Sequence, residues 1–118
     1  MPEVLIPAEL EGIKGKIEVI MLANSGSDYV ILPKNIADKI KPKIFKREAK
    51  FKVAGGKTVK GNLCLVKIRV KDPESNEERC EEVEAVILGG QDEPLAGISA
   101  LERLGILLDM KKGKYRFT

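Results

Sequence analysis

The chain contains no histidine and no tryptophan, and its only cysteines are Cys64 and Cys80. Without histidine there is no second ligand type to join the thiols around a metal, and two cysteines at this spacing make no disulfide scaffold. Both are expected to be free, buried thiols. No apolar stretch approaches the length of a membrane span, and the first residues do not combine a basic start, an apolar core and a small-residue cleavage site. The expectation is a soluble, cytoplasmic protein with no membrane partner. Gly89-Gly90 lacks the Gly-Lys-Ser/Thr continuation of a phosphate loop, and Asp72, Glu74, Glu77 and Glu78 match no calcium-loop spacing. No metal and no cofactor is expected.

What the chain does have is ordinary globular composition, 43% hydrophobic and 33% charged over 118 residues, enough for one core and one domain spanning 1–118. Its formal charge is +3, with basic residues read as mixed with acidic ones along the chain. Phe45, Phe51, Phe117, Tyr29 and Tyr115 form no stacking cluster in sequence, so no nucleic-acid partner is expected.

Strand patterns dominate. Ile13 to Leu22 begins with alternation and ends in an apolar run, as a strand does when it passes from half-exposed to buried. It leads into Ala23-Asn24-Ser25-Gly26-Ser27-Asp28, where small hydrogen-bonding residues predict a sharp polar turn. Tyr29 to Leu32 is extended again, and a short helix starts near Pro33 with Ile36 and Ile40 on one face. Alternating residues on both sides of Gly55-Gly56 predict a hairpin with a glycine tip, and the polar stretch from Lys71 to Arg79 a second hairpin. Leu95-Ala96-Gly97-Ile98 reads as an apolar turn. Ser99 with Glu102 three residues on reads as a capping box, with Gly105 stopping the helix. Ile106–Met110 and Tyr115–Phe117 close the chain as a pair of short strands. Strand, glycine turn and short helix thus occur twice, around Gly26 and around Gly97, but only the first copy carries a polar residue like Asn24.

These residues resemble the retroviral-type aspartic peptidases of the pepsin-like clan, single-domain members above all. That family has an Asp-Thr/Ser-Gly triplet after an apolar strand, then an extended run ending near Leu-Pro, and later two apolar residues, a glycine and a helix ending in Leu-Gly. The matching stretches here are Asn24-Ser25-Gly26, Val30-Ile31-Leu32-Pro33, Leu95-Ala96-Gly97 and Leu104-Gly105. The resemblance implies an all-β, retropepsin-like closed barrel with a flap hairpin and a short C-terminal helix, and a homodimer in which each subunit lends one turn to a shared site. Asn24, where the catalytic Asp is expected, and Ser25 and Gly26 would form that turn. Asp28, the flap residues Val53, Ala54, Gly55 and Gly56, and Gly97 with Ile98 would bind an extended peptide or unfolded protein. Val30, Leu32 and residues near Pro94 could line apolar subsites or complete the core.

In such an enzyme two carboxylates share one proton. One activates water and the other protonates the peptide carbonyl oxygen. Asn24 cannot accept that proton, so the chain as written is expected to be inert. Two origins fit: a near-isosteric replacement that silences an aspartic endopeptidase while keeping its hydrogen bonds, or a natural pseudoenzyme serving as a non-catalytic peptide-binding or assembly module.

Overall fold

The computed structural model describes residues 3–52 and 56–118. Among the described residues, nine strands and two helices follow one another as β1 (Leu5–Glu11), β2 (Lys16–Ala23), β3 (Val30–Pro33), α1 (Lys34–Ile40), β4 (Lys43–Lys52), β5 (Thr58–Lys71), β6 (Glu78–Leu88), β7 (Leu95–Ala96), α2 (Ile98–Leu104), β8 (Ile106–Asp109) and β9 (Lys114–Phe117). The sequence did not announce β1. Its alternation is nonetheless clean, with Val4, Ile6, Ala8 and Leu10 buried. Pro7 interrupts no ladder, because β1 pairs with β2 along its whole length but meets β5 only from Ala8 onward. A proline is tolerated on that free edge.

Seven strands pair in the order β1-β2-β7-β3-β6-β5-β4, with β1 also meeting β5. The sheet is therefore ring-like, and the expected closed barrel is not formed. β7 is two residues long and touches β3 at the single pair Ile31↔Leu95, too little for a continuous wall. β4 hangs outside the ring on β5 and keeps a free edge, while β8 and β9 form a separate two-stranded sheet. The short helix before them is α2, which is followed by these strands rather than ending the fold.

One buried cluster takes side chains from both helices and every strand but β4, whose Ile44 packs against it, and includes Leu10, Met21, Leu32, Ile40, Ile68 and Leu104. Burying side chains of this size contributes about 1.5 to 3 kcal/mol each. Val30 and Leu32 are fully buried there, and Pro94 is buried too, so these three complete the interior rather than line a subsite. Helix α1 turns Ile36 and Ile40 inward and ends at Lys41 in the left-handed region. Helix α2 is capped by Gly97 and Gly105 without any side-chain cap, so the capping box predicted at Ser99 is absent. Cys64 is buried as expected, but Cys80 is exposed. Among the described residues no helix is long and apolar enough to cross a membrane.

Candidate active site

Strand β2 delivers the polar turn to the surface. Its last backbone groups are already committed: the Leu22 N–H donates to the Pro94 carbonyl (3.1 Å), Ala23 to Val4 (3.0 Å) and Asn24 to Ala96 (2.9 Å). Asn24 then folds back on itself. Its Oδ1 accepts the Gly26 N–H at 3.0 Å, and the Ser27 N–H donates to the Asn24 carbonyl at 3.2 Å. Such a side-chain-to-backbone turn needs an oxygen at this position, which Asn and Asp both supply. Asn24 is half-buried, with Ser25 and Gly26 exposed at the apex.

A second segment locks the turn from behind. The Ile98 N–H donates to the Ser27 carbonyl (2.7 Å) and the Ser99 N–H to the Asp28 carbonyl (3.2 Å). The Ser99 hydroxyl donates to that same Asp28 carbonyl, which is where the supposed capping group goes. Gly97 permits this approach. Any Cβ there would collide with the Tyr29 carbonyl and come within 2.8 Å of the Ser27 oxygen. The two glycine turns noticed in the sequence are thus packed against each other.

In front of the turn lies a groove of about 670 Å³. Asn24, Gly26, Ser27 and Asp28 line one part of it, Ile31, Val86, Leu88 and Leu95 supply apolar wall, and Lys50, Phe51 and Lys52 contribute from β4. The Phe51 ring meets Tyr29 edge-on, with centroids 5.6 Å apart, so the β4–β5 hairpin rests on the chain just after the turn. Larger depressions exist, such as one of about 1080 Å³ along the β8–β9 turn, but it contains none of the sequence-derived site residues.

Of the sequence-derived site residues, the structure brings Asn24, Gly26 and Asp28 into the groove. Ser25, Gly97 and Ile98 stand outside its lining, Gly97 buried and Ile98 exposed. Gly56 is exposed with φ +78°, a backbone suited to glycine. Val53, Ala54 and Gly55 lie outside the described residues. Sequence reasoning missed Tyr29, Phe51, Lys50 and Lys52, although Lys50-Phe51-Lys52 alternates at the inner end of a predicted hairpin arm. It also missed Ser99, whose role depends on a contact 71 residues away. Among the described residues no group of three or more Cys, Asp or Glu is placed to hold a metal.

No family profile and no curated protein sequence matches the chain. Solved structures do. It is similar to the retroviral protease-like domain of Ddi1 from Leishmania major, with 14% identity and a TM-score of 0.59 over 99% of this chain and 89% of that one. It is similar to the EIAV protease complexed with the inhibitor HBY-793, with 12% identity and a TM-score of 0.58 over 91% and 92%. It is also similar to a retropepsin-like aspartic protease from Rickettsia conorii, with 20% identity and a TM-score of 0.57 over 91% and 84%. The fold is retropepsin-like.

Proposed function

We propose that this chain is one half of a two-fold aspartic endopeptidase site, present here in an Asn24 form that cannot turn over, and that extended peptides bind in the groove beside Asn24. The observation that carries this is the Asn24 Oδ1 to Gly26 N–H hydrogen bond. It fixes one atom of the side chain, while the other has no hydrogen-bond partner among the described residues, an arrangement in which a carboxylate would hold one oxygen for chemistry. Support also comes from the fold, since two of the similar structures are named as proteases.

With Asp at position 24 and a second copy supplying its own turn, two facing carboxylates would share a proton. The ionised one would take a proton from water as the water attacks the peptide carbonyl, and the protonated one would donate to the carbonyl oxygen. With Asn on both sides, the pair can hold a peptide or a water but cannot move the proton. A natural Asn24 would favour a peptide-binding or assembly role for the same groove.

Asn24→Asp should gain cleavage of denatured, casein-like protein, with an acidic optimum. Activity should fall as pH rises through the upper apparent pKa of the pair, where both carboxylates become ionised. Chelators should have no effect, and a non-cleavable peptide analogue bearing a hydroxyl in place of the attacked carbonyl should block it. Folded, dimeric Asn24→Asp protein that cleaves nothing from acidic to mildly alkaline pH would leave only the binding role.

A further inference from the structure

Ten of the 21 Lys and Arg residues fall between positions 34 and 60, against two of the 18 Asp and Glu. That stretch carries a formal +8 and the rest of the chain −5, which gives the overall +3. Basic residues are therefore not mixed evenly with acidic ones, as the sequence had suggested. All ten are exposed. They stand on and beside α1, on the edge strand β4 and at the start of β5. The ion pairs among the described residues use Arg69, Arg79 and Arg103, so none of them neutralises this face.

Lysines on an exposed edge discourage strand-on-strand aggregation, which accounts in part for the basic residues of β4, Lys43, Lys46, Arg47, Lys50 and Lys52. It does not account for Lys34 and Lys39 on α1. The face also runs into the groove. Lys50 and Lys52 enter its lining on either side of Phe51, next to apolar wall, and Asp28 is the one carboxylate in that lining.

We infer that the protein selects polypeptide segments with acidic residues flanking an apolar one: the apolar side chain enters the groove, the acidic flanks meet Lys50 and Lys52, and the wider basic face steers such segments in. This rests on the groove's being a peptide site, as proposed above. A polypeptide fits better than a nucleic acid. Single strands are held by successive bases stacking on aromatic rings. Here the Phe51 ring is already engaged by Tyr29, which leaves Phe45 as the large exposed aromatic of this face. Exposed ion pairs each contribute little, so the selection should show in encounter rate and salt dependence.

Fluorescence anisotropy on the Asn24 protein, with three peptides sharing an apolar centre but flanked by Glu, Gln or Lys, tests this. At low ionic strength the Glu-flanked peptide should bind about tenfold tighter than the Gln-flanked one, and the Lys-flanked one weakest. Added salt should shrink the differences. Lys50→Gln/Lys52→Gln should lose the preference while keeping the melting temperature. If that variant melts low, the salt dependence of the unaltered protein decides by itself. Equal affinity for Glu and Gln flanks, an undiminished preference in the folded double variant, or no binding by any peptide overturns the inference. So does tighter binding of a single-stranded oligonucleotide than of the Glu-flanked peptide. Cleavage of the Gln-flanked peptide by Asn24→Asp reports on the peptidase function separately. Cleavage without preference for Glu flanks would sink the inference alone, whereas acid-selective binding without cleavage would sink the peptidase assignment alone.

Discussion

Phe117 on β9 donates its backbone N–H to Asp72 Oδ1 at 3.0 Å, across 45 residues of sequence, while Asp72 Oδ2 accepts the Ser75 N–H and hydroxyl at 3.0 and 2.8 Å. One carboxylate thus holds the β5–β6 turn and ties the last strand to it. The Ser75 backbone and side-chain donors, followed by the Phe117 N–H, hold the Asp72 carboxyl below the usual carboxylate range. A depressed folded value means stability present above the unfolded pKa and lost as pH falls through the folded one. Asp72→Asn should therefore melt below the wild type at neutral pH, and the gap should close in strong acid. Thermal melts by circular dichroism over a pH series measure this, and a gap of constant size would refute the charge-based account.

Gly97 should tolerate no side chain. The atoms that a Cβ would meet, the Tyr29 and Ser27 carbonyl oxygens, are backbone and cannot swing away. Gly97→Ala should cost about 1 to 3 kcal/mol in urea unfolding, as overpacking of a fitted contact does. Gly89→Ala, where an added Cβ meets nothing within 4 Å, is the matching control and should be near neutral.

The two cysteines should separate cleanly by reactivity. Burial pushes the Cys64 thiol up to about 12, so almost no thiolate forms at neutral pH, whereas Cys80 is exposed. A thiol-specific alkylating reagent should modify Cys80 alone in the folded protein and both after denaturation, read by mass spectrometry. Labelling of Cys64 at the same rate as Cys80 under native conditions would show that β5 opens readily.

The shared site proposed above requires two copies, because each chain would supply one Asn24 turn. Sedimentation at micromolar concentration should give a species near twice 13.0 kDa. Leu107 on β8 is 44% exposed and shares a surface depression with the half-exposed Leu5. Leu107→Asp should shift the equilibrium toward monomer without unfolding the protomer. A folded wild-type protein that stays monomeric would remove the shared-site mechanism.

Much of this was legible from local pattern. The polar turn at Asn24, helix α1 after Pro33, the β5–β6 hairpin and the terminal strand pair all rest on neighbouring residues, and all are found. Strand β1 was hidden by Pro7, whose harmlessness depends on where β5 begins to pair. Ser99 misled because its hydroxyl is drawn to a remote carbonyl rather than to its own helix. Cys80, expected buried, is exposed on an outward face with Glu82 and Glu84, an alternation that was legible in the sequence. Sheet closure was not readable at all, since it turns on a single β3–β7 contact between distant segments.

That contact belongs to a set with a kinetic consequence. Leu22 pairs with Leu95, Val30 with Ala85, and the Asn24 N–H with the Ala96 carbonyl, so much of what braces the turn comes from residues far downstream. Long loops must close before such parallel pairings give any stabilisation, and pairings of that kind form slowly. A ribosome-bound chain that has emerged only through β6 can form the β1–β2 hairpin and the turn after it, but nothing yet holds the Asn24 amide. If the proposed two-copy mechanism holds, an acid at position 24 would lack a braced turn until α2 is in place, so the site could be assembled only after the chain is largely made.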